Sequence, residues 1–362
     1  MSAPQSIDPA ATPPQPAMPP DARLLQLILG MCTTRALAVA AELGVADLLK
    51  EGPMNPKDLA QRTGSNPDGL YRMLRALAAV GVFEMRADQS FANNELSTLL
   101  RGDLPGASRA NALWFSDVSG WTAWGRLDHS VRTGKPAFDE VFGSDCFTWL
   151  EGHTASLSVF QQTMSNLSTI TGSAVAAAYD FSPLRQLVDV GGGYGTLLSS
   201  LLQRFPHLSG ILFDRPEVIR NAREALKTVR VGANIEPVAG DFFEALPAGA
   251  DAYILKYIIH DWDDDHCIRL LANCRRAMAP GGRVLIVESV LSDRPDSVLT
   301  KLLDLEMLVM TGGGRERTEQ EFCSLLTRAG LEFSRLIPTQ SPVSVIEAFA
   351  GSGVPSQQAH EE

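Results

Sequence analysis

The chain reads as an α/β protein in which a mainly α winged-helix domain precedes a doubly wound, Rossmann-like sheet domain. Three observations predict this. Apolar runs ending in acids alternate with helical segments between Leu187 and Glu288, the pattern of a parallel sheet with crossover helices. Four glycines, Gly191, Gly192, Gly193 and Gly195, follow the first run and precede a helix. Near the N-terminus, two Asn-Pro helix starts eleven residues apart lead into a small hairpin. The expected division is a disordered tail over 1–20, a winged-helix domain over 21–102, a helical linker over 103–171, the sheet domain over 172–350, and a second disordered tail over 351–362.

The bulk numbers fit two soluble domains. The 362 residues are 45% hydrophobic and 20% charged, long for a single core and ordinary in composition. The proline-rich start lacks the basic and apolar regions of a signal peptide. No stretch approaches the ~20 apolar residues of a membrane span. Five scattered cysteines have no metal-site spacing, so reduced thiols in a cytoplasm are expected. The net charge of −11 argues against general affinity for nucleic acid or anionic membranes.

From Ala22 to Leu49 apolar residues recur at helical spacing, punctuated by Gly30 and Gly44. Asn55-Pro56 and Asn66-Pro67 each supply a cap and a first-turn proline, so two short helices meet at Thr63-Gly64-Ser65. Gly81–Met85 and Ser90–Ala92 complete the wing. A winged helix invites a DNA-binding reading, but residues 21–101 hold nine Lys/Arg against nine Asp/Glu. DNA-binding modules carry a clear positive excess. A ligand-sensing regulator therefore stands only as a rival. The linker is rich in aromatics, among them Trp114, Trp124, Phe138, Phe147 and Phe160, which at helical spacing form core more often than ligand walls.

In the sheet domain the expected strands are Leu187–Val190, Gly210–Asp214, Ile235–Asp241, Ala252–Ile259 and Arg283–Glu288. Ligands of such sheets sit at the carboxyl ends of the strands. There the glycine turn allows close backbone approach and the helix start offers unpaired N–H groups. Asp214, 25 positions after Asp189, stands where an acid holds a ribose diol. Asp263-Asp264-Asp265-His266 could suit a divalent cation. As first-turn acids of a helix whose last turns carry Arg275 and Arg276, they also complement the helix dipole, and no metal is expected.

Asp-Val-Gly-Gly-Gly-Tyr-Gly-Thr at 189–196, Phe213-Asp214-Arg215-Pro216, Gly240-Asp241-Phe242-Phe243, Leu255 through Trp262, and Gly314-Arg315-Glu316-Arg317-Thr318 resemble the S-adenosylmethionine-dependent small-molecule O-methyltransferases. That family includes plant caffeic acid and isoflavone enzymes and bacterial antibiotic-tailoring enzymes. The resemblance runs from about Asp21 to about Ala350. It implies S-adenosylmethionine as cofactor, S-adenosylhomocysteine as product, and a homodimer formed through the N-terminal domain. The implied acceptor is a phenolic or enolic hydroxyl on a small aromatic or polyketide-like metabolite.

The resemblance also implies residue roles. Asp189, Gly191 and Gly193 surround the methionine portion, and Asp214 holds the ribose. Asp241 and Phe242 meet the adenine, Trp262 covers its other face, and Lys256 lies at the carboxylate end, acting by side chain or backbone. His260 is the general base, flanked by Glu288 and Glu316, with Asp261 a competing orienting group and acceptor contact. Phe160, Met164, Met307 and Met310 line the acceptor pocket; helix packing remains an equal account of Met310. For Glu316 the alternative is an exposed loop acid paired with Arg315 or Arg317. Within the fold, decarboxylation or hydroxylation with the same cofactor is the rival chemistry.

Overall fold

The structure is a computed structural model that describes residues 18–104, 106–292 and 297–351. Most of both expected tails, 1–17 and 352–362, lies outside the described residues. The N-terminal apolar segment forms three helices rather than one run: Pro20–Ile28, Gly30–Glu42 and Val45–Leu48. The first two are bent by 43°. Gly44, at φ +64°, makes the second break, a left-handed conformation that costs glycine least. Leu24, Leu25, Leu27, Ile28 and Met31 stay exposed in the single chain, an apolar surface suited to a partner.

The helix-turn-helix forms as its caps dictate. The Asn55 side chain accepts from Lys57 N and Asp58 N ahead of Pro56–Thr63. Asn66 does the same for Gly69 N ahead of Pro67–Ala79. Strands β1 (Phe83–Met85) and β2 (Phe91–Asn93) pair antiparallel as the wing. Leu59, Leu70, Leu74, Leu77 and Phe91 close a core of their own.

The large sheet contains β3 (Gln186–Val190), β4 (Ser209–Asp214), β5 (Ile235–Ala239), β6 (Ala252–Lys256) and β7 (Arg283–Glu288), all parallel. A two-residue ribbon, β8 (Val290–Leu291) with β9 (Arg317–Thr318), follows. Two further strands, β10 (Leu331–Pro338) and β11 (Ser344–Ala350), add antiparallel to the edge at β7. The sheet is therefore mixed, in the order β10-β11-β7-β6-β3-β4-β5, and the all-parallel expectation is corrected at this edge. β5 ends at Ala239 rather than Asp241; its Pro237 is tolerated because β5 is an edge strand. β6 ends at Lys256, three residues earlier than its apolar run, because Tyr257 turns to φ +53°. β3 pairs with both β4 and β6, so the chain reverses its winding there and opens a crevice above their carboxyl ends.

The long Thr154–Ala178 helix joins the two halves. It lies so close to the Thr196–Arg204 helix that a Cβ on Gly172 would stand 3.0 Å from Ser200 Cβ. Most linker aromatics do form core, with Trp114, Phe138, Trp149 and Phe160 packed beside Val309 and Met310.

Candidate active site

At the end of β3 the glycine turn is pinned by Gly191 N donating to Phe213 O at 2.8 Å. Gly193 N donates to Asp214 Oδ2 at 2.8 Å and Arg215 N to Oδ1 at 2.7 Å. A Cβ on Gly191, at φ +69°, would stand 2.4 Å from Ile258 Cδ1, and one on Gly192 would stand 2.4 Å from Leu212 and 2.6 Å from Asp189 Cγ. The loop must be bare backbone for the adjacent strands to approach it. Burial raises the Asp214 carboxyl, and the two N–H donors oppose the rise.

Asp189 is 1% exposed, and its Oδ2 has no hydrogen-bond partner among the described residues. Burial pushes its carboxyl up to about 7, against the pull of Lys256. Burial in turn lowers Lys256 to about 8, with Asp189 opposing. An unpartnered buried acid near a buried amine calls for a ligand carrying complementary groups. The amino acid end of S-adenosylmethionine has both an ammonium and a carboxylate, so these residues fit it.

Asp241 is exposed, and its Oδ1 accepts from Phe243 N at 2.8 Å. Phe242 reaches within 3.8 Å of the Cβ position of Gly191. Trp262 stands at 84° to Phe242, 6.0 Å between centroids, and stacks on Phe147 at 6.1 Å. A flat base lying on one of these rings therefore meets the other at its edge, so the two do not form a parallel sandwich as the sequence suggested.

After β6, the turn Ile259–Asp261 carries His260, 8% exposed. Its Nδ1 lies 2.8 Å from Glu316 Oε1, and its Nε2 3.5 Å from Asp261 Oδ1. Glu288 Oε1 accepts from the backbone N–H groups of Ile258 and His260, both at 3.1 Å. The two flanking carboxylates thus divide the work: Glu316 holds the ring and Glu288 holds the turn beneath it. Burial alone would lower the imidazole; Asp261, Glu316 and Glu288 more than reverse this and push it up to about 9. Burial raises Asp261 to about 6 and Glu288 to about 7. Glu316 is not an exposed loop acid: it is buried, and its backbone N donates to Asp304 Oδ1 at 2.9 Å.

The neighbouring loop is fitted to this turn. Arg315 N donates to His260 O at 2.8 Å, and a Cβ on Gly314 would stand 2.5 Å from that same carbonyl. Arg317, fully buried, donates to Ile259 O at 2.9 Å, and to Trp262 O and Asp264 Oδ1, both at 2.8 Å. The acids of the Asp-rich run are already engaged: Asp263 caps His266, Asp264 pairs with Arg317, and Asp265 meets Arg328. Among the described residues no group of three or more His, Cys, Asp or Glu is arranged around a metal position.

Phe160 packs on Trp114 (5.0 Å) and Phe147 (6.4 Å). Through Phe147 and Trp262, this aromatic contact chain reaches from the linker to the His260 turn. Met307 and Met310 are buried in the Val298–Met310 helix, and Met164 is half-buried one turn beyond Phe160. Sequence reasoning missed four residues here. Tyr257 holds a left-handed φ and lies over His260 at 5.1 Å. Gln161 Oε1 reaches within 3.2 Å of the Cβ position of Gly193. Arg317 and Glu306 are the others. A Gln beside Phe160 in an apolar helix was the one faint signal among them.

The strand order, the bare glycine turn after β3, the acid ending β4 and the unpartnered Asp189 define a class I S-adenosylmethionine-dependent methyltransferase. The family model of the O-methyltransferase domain matches residues 124–332, and that of the O-methyltransferase dimerisation domain matches 25–103. The chain belongs to this O-methyltransferase family. It is 41% identical to the phenazine O-methyltransferase of Lysobacter antibioticus, over 92% of this chain and 97% of that one. It is 40% identical to the mitomycin biosynthesis 6-O-methyltransferase of Streptomyces lavendulae, over 89% and 92%. The crystal structure of human N-acetylserotonin methyltransferase in complex with S-adenosylmethionine superposes with TM-score 0.85 at 30% identity, covering 93% of this chain and 99% of that one.

Proposed function

We propose that this methyltransferase acts on a phenolic or enolic hydroxyl of a small aromatic or polyketide-like metabolite, with His260 as general base. The observation that carries the reading is the buried His260 Nδ1–Glu316 contact, which fixes the tautomer and leaves Nε2 for the acceptor. When bound, S-adenosylmethionine supplies an electrophilic methyl group, so the protein must align the partners and activate the nucleophile. A phenol has pKa near ~10 and is mostly protonated at neutral pH. Nε2 takes its proton, Glu316 stabilises the resulting imidazolium, and Glu288 keeps the turn in place. Asp261, beside Nε2, contacts the acceptor hydroxyl. Asp189, Gly191, Gly193 and Lys256 hold the amino acid end of the cofactor, Asp214 its ribose, and Asp241, Phe242 and Trp262 its base. Phe160, Met164, Met307 and Met310 wall the acceptor.

The same reading makes the enzyme a cytoplasmic homodimer joined through residues 21–102 that takes no nucleic acid or membrane as partner. Five unpaired cysteines support the compartment, and the exposed apolar face of Pro20–Ile28 supports the dimer. Among the described residues no single helix is long and apolar enough to cross a membrane. The direct experiment is a mass-spectrometric screen of phenolic metabolites with methyl-labelled cofactor. Labelled ethers are expected; bound cofactor with only unlabelled, altered products would overturn the reading.

Two further outcomes are expected. Asp214→Ala weakens S-adenosylhomocysteine binding by roughly ten-fold or more, since a charged acceptor of ribose hydroxyls is lost; unchanged calorimetric affinity would refute its role. For the base, only the neutral imidazole accepts a proton, and its pKa of about 9 keeps it mostly protonated at neutral pH. kcat/KM therefore rises with pH through that range. Glu316→Gln removes a carboxylate that raises the imidazole, so the rising limb moves to lower pH while maximal turnover falls. A profile that stays in place would exclude the coupling.

A further inference from the structure

The Val298–Met310 helix turns a buried side toward the aromatic cluster of the linker, and one residue on it is out of character. Glu306 is 7% exposed and shares a face with Met310, four positions on. Met310 packs among Trp114, Phe138, Cys146, Leu150 and Phe160. One carboxylate oxygen of Glu306 accepts from the indole N–H of Trp124; no described group donates to the other. Burial raises this carboxyl and the indole N–H opposes the rise. Cys146 lies in the same apolar cluster as Met310 and Phe160; burial raises its thiol, and the charges of Asp261 and Glu306 raise it further. A Leu or Met would pack there without the desolvation penalty of a carboxylate, which reaches several kcal/mol unless hydrogen bonds offset it. The mechanism above makes no use of Glu306.

We propose that Glu306, oriented by Trp124, determines acceptor specificity: it accepts a hydrogen bond from a second O–H or N–H donor on the acceptor ring, away from the hydroxyl that faces His260. The acceptor class is thereby narrowed to aromatics bearing an additional hydroxyl or amino group. This rests on the acceptor site proposed above. An apolar pocket with one carboxylate oxygen open to the ligand discriminates strongly, because a ligand lacking the donor displaces water from that oxygen and leaves it unpaired.

The test is calorimetric binding to protein saturated with S-adenosylhomocysteine, comparing a naphthalenediol and an aminonaphthol with the plain naphthol. Wild-type protein is expected to bind the donor-bearing rings roughly ten-fold or more tightly than naphthol. Glu306→Gln, which keeps the shape and can still accept from Trp124 but turns its amide N–H2 toward the acceptor, is expected to lose the preference for the aminonaphthol, whose amino group is a donor and a poor acceptor. Trp124→Phe, which frees the carboxylate from its orienting bond, should reduce it. An unchanged aminonaphthol preference in Glu306→Gln, no preference in wild type, or an equal loss for all three ligands (the mark of a merely structural tie between helices) would each overturn the proposal. Labelled methyl transfer to plain naphthol by the wild-type protein, followed in parallel, reports on the His260 chemistry separately.

Discussion

Replacing His260 by Ala is expected to lower turnover on a phenolic acceptor by roughly 10²–10⁴-fold, the usual contribution of a positioned general base, while cofactor affinity stays near wild type. The two effects separate because no described hydrogen bond joins the imidazole to the glycine turn; its ring meets Glu316, Asp261 and Tyr257. The backbone N–H of residue 260, held by Glu288, survives the substitution, so the turn keeps its anchor. Single-turnover kinetics with S-adenosylhomocysteine affinity measured alongside would decide the matter. Unchanged turnover would falsify the general-base role; a parallel loss of cofactor binding would point to collapse of the turn instead. The residual rate should rise with pH as the acceptor itself ionises, without the limb assigned to the imidazole.

Arg317→Ala is expected to destabilise the protein by about 3 kcal/mol, since two buried carbonyls each lose a donor at a cost of about 1–3 kcal/mol apiece. The guanidinium is wholly buried and donates to two carbonyls of the His260 turn as well as to Asp264. Its loss leaves Ile259 O and Trp262 O without this donor and opens a cavity. Asp264 is partly exposed, so water relieves that partner and the carbonyls carry most of the effect. Arg317→Lys should recover only part of the stability, since an ammonium lacks the planar fork that reaches several acceptors together. Denaturant unfolding of both variants checks this, and an Ala variant as stable as wild type would show that the clamp does not hold the turn.

The glycine turn, Asp214, His260 and the capped helices of the N-terminal domain were legible because each depends on residues within a few positions. Asn55 caps the helix it precedes, and Gly44 and Gly193 take up backbone conformations costly for other residues. The division of labour between the two glutamates was not legible. Only in the folded chain, where β9 pairs with β8 and Arg315 N meets His260 O, does Glu316 stand against the ring while Glu288 meets the backbone. β10 and β11 were missed because β10 shows no clean alternation and carries a register shift between Phe333 and Arg335. Glu306 looked like an ordinary helix charge until Trp124, 182 positions earlier, was packed against it.

From local patterning alone the chain commits itself to its five parallel strands, its Asn-capped helix starts and the bare backbone above β3, since steric limits on φ and the pull of apolar burial act over neighbouring residues. Which acid meets which nitrogen, which carboxylate is left half-satisfied in an apolar wall, and which arginine is sealed beneath the turn were settled only by folding. Those outcomes depend on partners far apart in sequence, and on burial, which turns a missing hydrogen bond from a negligible loss in water into a penalty large enough to select one arrangement.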